Sequence, residues 1–151
     1  MRLFSVSVVC ALAMILSGCG GNGSNSSVNG NWSATLTNID GSTALAFNLT
    51  LTQNSSGAVS VSNLSFTTQT PCFGSGSTGA GTFTLTGTTN GVTTGSLQLT
   101  IQSSAANGSN QLTLNGILNG SAGSNTITGT WSLTGTGSGC TGNGNFTMGP
   151  A

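Results

Sequence analysis

From residue 31 onward, apolar side chains recur at every second position in short runs. Residues 43–53 place Leu45, Phe47, Leu49 and Leu51 on one phase and Ala44, Ala46, Asn48, Thr50 and Thr52 on the other. Side chains of a strand alternate between its two faces, so this spacing predicts strands with one apolar face and one polar face. Residues 124–134 set Ile127, Trp131 and Leu133 against threonines, 81–87 offer Phe83 and Leu85, and 92–102 offer Leu97, Leu99 and Ile101. Residues 31–38 contribute Trp32, Ala34 and Leu36, and the runs 58–67, 110–119 and 143–149 complete a set of eight. The phase slips twice, where Val59 and Val61 give way to Leu64 and Phe66 and where Leu112 and Leu114 meet Ile117. Asn63 and Gly116 are therefore the expected bulges.

Asp40-Gly41, Asn90-Gly91, Asn107-Gly108 and Asn119-Gly120 are dipeptides that accept the positive φ of tight hairpins. The links are short, apart from an excursion over residues 68–80, and short links make neighbouring strands antiparallel. Eight such strands must bury their common face against themselves. The expected fold is all-β, an eight-stranded antiparallel up-and-down meander closed into a small barrel, with a two-sheet sandwich as the alternative. Closure is favoured because open edges need Lys, Pro or inward charges for protection, and this chain has one Arg, one acidic residue and two prolines.

The same poverty of charge narrows the chemistry. There is no His and no Tyr, the basic residue is Arg2 and the acidic one Asp40. A serine or threonine nucleophile needs a base beside it, general acid–base catalysis needs a group that titrates near working pH, and nucleic-acid binding needs cations. A metal site needs several His, Cys, Asp or Glu ligands. No catalytic residue, metal ligand, cofactor or nucleic-acid partner is expected. Disorder is not expected either: 35% of residues are hydrophobic, the mean hydropathy is +0.19, and the apolar positions are patterned.

The first residues read differently. Met1-Arg2 is followed by the apolar run Leu3–Leu16 and then Ser17-Gly18-Cys19. This order is that of a secretory signal, and the run is too short for an ordinary bilayer span of about 20 residues. Leu16-Ser17-Gly18-Cys19 resembles the lipobox of bacterial lipoproteins. The resemblance implies cleavage between Gly18 and Cys19, a diacylglyceryl thioether on Cys19, and acylation of the new amine. Several acyl chains anchor stably where one does not. In the double-membrane bacterial lipoproteins this resembles, Asp after the lipidated Cys favours inner-membrane retention; Gly20 at that position points, in a host with two membranes, to the outer membrane. Cys10 leaves with the leader. Residues 20–27 carry no apolar side chain and read as a flexible tether.

Cys72 and Cys140 are then the remaining thiols of an exported chain, and an even pair in an oxidising compartment predicts a disulfide. A redox pair would call for a close CxxC spacing and nearby positive charge, and the chain has neither.

Gly30-Asn31-Trp32 is weakly similar to the Gly-x-Trp of the first strand of lipocalin-like barrels, and Gly129-Thr130-Trp131 repeats the spacing. The basic partner of that family's tryptophan has no counterpart here. The resemblance implies an interior that could hold a small apolar ligand, lined by Trp32, Phe47, Phe83 and Trp131; the other reading is that these side chains fill the core. Sequons such as Asn31-Trp32-Ser33, Asn48-Leu49-Thr50 and Asn63-Leu64-Ser65 follow from composition, as do the Thr-x-Thr pairs, threonine being a good strand residue on a solvent face.

The chain thus divides into a leader (1–18), a lipidated Cys19 with its tether (19–29) and a β domain (30–151). The expectation is a membrane-anchored envelope lipoprotein with a non-enzymatic structural or interaction role, contacting envelope glycan or protein. The alternative is a lipocalin-like carrier.

Overall fold

The computed structural model describes residues 27–89, 92–104, 106, 108–121 and 124–151. Eight strands follow one another: β1 (Gly30–Asn38), β2 (Thr43–Gln53), β3 (Ala58–Phe66), β4 (Thr78–Thr89), β5 (Val92–Gln102), β6 (Gln111–Ser121), β7 (Ser124–Thr134) and β8 (Gly142–Pro150). Each pairs antiparallel with the next, and β1 pairs with β8 from Trp32–Pro150 to Asn38–Gly144, so the meander closes into a barrel. No open sandwich edge remains to be covered. We call the mouth where β1 begins and β8 ends the proximal mouth, and the opposite one distal.

The alternation of the sequence becomes inside and outside. Leu45, Phe47, Leu49 and Leu51 of β2, Leu97, Leu99 and Ile101 of β5, and Leu112, Leu114 and Leu118 of β6 are all buried in one core. Each large apolar side chain taken out of water contributes about 1.5–3 kcal/mol. The core is filled by pairing large residues with glycines on neighbouring strands, as small barrels require. The Phe146 ring occupies the space a side chain on Gly116 would take, Phe83 does the same at Gly95, and Trp131 lies against Gly142 and Gly144.

Some of the expectations hold and others are corrected. Asn63 does sit at a bulge: its φ is +51°, and the β2–β3 register shifts between Asn48 and Thr50. Gly116 does not. It keeps register with both Leu97 and Gly129 and takes an inward position, Leu118 continues the inward phase, and Ile117 points out, 56% exposed. Further register shifts fall at Leu36/Thr37 and Leu85/Gly87. Asn119-Gly120 is not a turn but part of β6, held by Thr94 and Thr93 on one side and by Thr126 and Asn125 on the other. Asp40-Gly41 is a turn as expected, with Gly41 at φ +85°; Asn90-Gly91 and Asn107 lie outside the described residues. The long excursion is shorter than expected because β4 already begins at Thr78.

The folded domain also starts earlier than residue 30. Val28 is fully buried at the proximal mouth; its carbonyl accepts the Trp32 indole N–H at 2.8 Å and its N–H donates to Gln53 Oε1 at 3.2 Å.

Candidate functional site

The distal mouth is stapled. Cys72 in the β3–β4 loop and Cys140 in the β7–β8 loop form the expected disulfide, Cα–Cα 5.4 Å, with both residues buried. Asn110, at the end of the β5–β6 loop and 2% exposed, donates from Nδ2 to the Cys72 carbonyl at 2.8 Å. Three of the four distal loops are thereby tied together. Phe73, next to Cys72, stacks on Phe66 (centroids 4.9 Å, planes 8° apart), and Phe66 tilts against Phe47 inside the barrel at 5.3 Å. A small opening of about 350 Å³ remains at this mouth, bordered by Leu45, Cys72, Trp131 and Leu133.

The four aromatics named as ligand-lining do not surround one space. Trp32 closes the proximal mouth through Val28, whereas Trp131 lies near the distal mouth and donates its indole N–H to the Thr37 carbonyl at 2.9 Å. Phe47 and Phe83 are buried in the core, as are both tryptophans. Gly18 and Cys19 lie outside the described residues. Asp40 is fully exposed in its hairpin, where Oδ1 accepts from Ser42 N at 2.9 Å and Ser42 Oγ at 2.6 Å. The Ser42 hydroxyl, and then its N–H, hold the Asp40 carboxyl below its ordinary range. The carboxylate is satisfied by the N–H and hydroxyl of Ser42 within its own turn, which gives it a sufficient structural role. Among the described residues no group of three His, Cys, Asp or Glu comes together.

A further concavity lies on the outside of the barrel, a groove of about 720 Å³ across β4–β7. Register builds it. Thr82 pairs with Gln98, Gln98 with Asn115 and Asn115 with Thr130, a polar row four strands wide. The next row runs Thr84, Ser96, Ile117, Thr128 by the same pairings. The floor includes Gly116 and Gly129, which face each other across β6 and β7. Neither has an inward side chain to hold the strands off the core, and a methyl on Gly129 would collide with the Asn115 carbonyl. Within the groove Gln98 Nε2 donates to Asn115 Oδ1 at 3.2 Å. Such a surface can donate and accept hydrogen bonds and cover one apolar contact at Ile117. It carries no charge and no proton-transferring group.

Sequence reading missed this groove because its rows join residues from four strands. One signal was visible: Ile117 is an apolar residue on the outward phase. Comparison with protein-family models, with curated proteins and with solved structures finds no match.

Proposed function

We propose that the chain is a bacterial envelope lipoprotein, anchored through lipid on Cys19 in the outer membrane, whose barrel is a non-enzymatic interaction module. The observation that carries the reading is the barrel's polarity. Its large apolar side chains point mostly inward and its outward positions are uncharged and mostly polar, as at Thr35, Asn48, Gln98, Asn115, Thr128 and Thr147, with exposed apolar side chains on the strands at Leu85, Val92 and Ile117. A barrel that spans a bilayer wears an apolar band outside, so this one makes no such contact, and attachment falls to the segment before β1. Only residues 20–27 separate the lipobox cysteine from the packed Val28. The barrel would then stand on its proximal mouth, with the stapled distal loops and the lateral groove available to partners.

The burial of Trp32, Phe47, Phe83 and Trp131 in one core favours an interaction surface over a carrier interior. The experiment is fractionation of cells making the wild type or Cys19→Ala, with mass spectrometry of the N-terminal peptide. The wild type should be found in membranes with an acylated Cys19, and the variant should be released. Membrane association of Cys19→Ala, or an unmodified Cys19 still joined to Gly18, would overturn the proposal.

A further inference from the structure

We infer that the lateral groove over β4–β7 binds a neutral polysaccharide chain, laid across the strands on the Gln98–Asn115 row. The inference deepens the interaction role proposed above by naming the partner of this groove, and it does not depend on the anchor. The hydrogen bond from Gln98 Nε2 to Asn115 Oδ1 fixes the two amides against each other. It leaves Gln98 Oε1 as an acceptor and the Asn115 Nδ2 group as a donor, side by side and without another partner among the described residues. A vicinal diol of a sugar needs that complement, since each hydroxyl both donates and accepts.

The hydroxyls of Thr82 and Thr130 extend the row at both ends. With strands about 4.8 Å apart, four of them span roughly 14 Å, room for a short oligosaccharide rather than a single ring. Beside the amide pair stands Ile117, at 56% the most exposed large apolar side chain of the described strands. Its methyl groups can meet the C–H face of a sugar ring, a contact that gives a reason for an apolar residue at an outward position.

Charge selects among glycans. The groove has no Lys or Arg to neutralise a uronate, sulfate or phosphate, and no carboxylate to pair an amino sugar. A charged polymer would lose hydration there with nothing in return. The ligand class is therefore a neutral hexose polymer, held by hydrogen bonds and one apolar contact, with little dependence on salt.

The test uses the full chain, purified in detergent and labelled on side-chain amides and isoleucine methyls for NMR. Maltohexaose, cellohexaose and mannohexaose are titrated at millimolar concentration, with polygalacturonate as the charged comparison. At least one neutral hexasaccharide should shift the Gln98 and Asn115 amide signals and the Ile117 methyls in a saturable way. Added salt should leave the affinity unchanged. Ile117→Lys, which sits on an exposed position, should keep the melting temperature and weaken binding by about tenfold or more, as should Gln98→Ala.

No shift in these groups with any of the three neutral sugars would overturn the inference. So would shifts confined to another face, or equal response to polygalacturonate. Cross-linking from position 98 to a protein in intact cells, with no sugar response, would replace the glycan by a protein partner and leave the interaction role standing. Release of Cys19→Ala, read separately, reports on the anchor alone.

Discussion

The Trp131 indole lies across Gly144 of the neighbouring strand, its Nε1 2.9 Å from the point a Gly144 Cβ would occupy, while its N–H bonds the Thr37 carbonyl one strand further on. One side chain thus clamps β7, β8 and β1, and it can do so only because β8 offers no side chain there.

Gly144→Ala should therefore destabilise the barrel by about 1–3 kcal/mol, because the methyl would collide with Thr37 and drive Trp131 from its bond. Gly149, on the same strand, has nothing within 4 Å of a new methyl. Gly149→Ala should be neutral or stabilise by up to about 1 kcal/mol. Urea unfolding of both variants checks the contrast; equal losses would remove the clamp from the account.

At the distal mouth, Asn110 and the Cys72–Cys140 bond hold the same loops. The disulfide spans 68 residues, worth roughly 4 kcal/mol on the chain-entropy account. Asn110→Ala should cost about 1–3 kcal/mol by leaving the Cys72 carbonyl unpaired in a buried place. With the bond reduced, that carbonyl is free to find water, so the Asn110→Ala penalty should shrink. A double cycle of substitution and reduction, read by calorimetry, gives the coupling; strict additivity would show that the two ties act independently.

The interior offers a direct test of the carrier alternative. Phe47 is fully buried, and Phe47→Ala should cost about 3–5 kcal/mol while opening a dry cavity. An apolar dye should show saturable binding to that variant and none to the wild type. Saturable uptake by the wild type, with quenching of Trp32 and Trp131 fluorescence, would make the barrel interior the ligand site.

Stability should be nearly independent of pH. Asp40 is the sole acidic side chain, and its carboxyl is held below its unfolded value by Ser42. A lowered folded pKa contributes stability above the unfolded pKa and loses it as pH falls through the folded one. With the group fully exposed, the loss should be small and confined to strongly acidic solution. Melting curves from about pH 5 to 9 should coincide; a transition inside that window would point to another titrating group.

The fold was legible where neighbours in sequence carry the signal. Leu45 to Leu51 alternate, and the barrel buries that phase. It was illegible where the reason lies on another strand. Gly116 reads as an irregularity because a glycine inside an apolar run usually marks one. Here it makes room for Phe146, thirty residues later in the chain. Asn119-Gly120 has the chemistry of a hairpin turn, yet β5 and β7 flank it and draw it into the ladder. The groove shares that difficulty, since Gln98 and Asn115 become partners only through register. The disulfide needed no register, because thiol count sufficed.

The proximal mouth gathers the beginning of β1 and the end of β8, and the Ala151 N–H is tied to the Asn31 carbonyl at 3.0 Å. A tension applied at the N-terminal segment and resisted by a ligand on the barrel's flank would run along the length of β1. It would load the ladders to β2 and β8 in shear, many bonds at once, rather than peeling them one by one. Were the chain moored through the segment before β1, as proposed, that loading would resist unravelling from the mooring point.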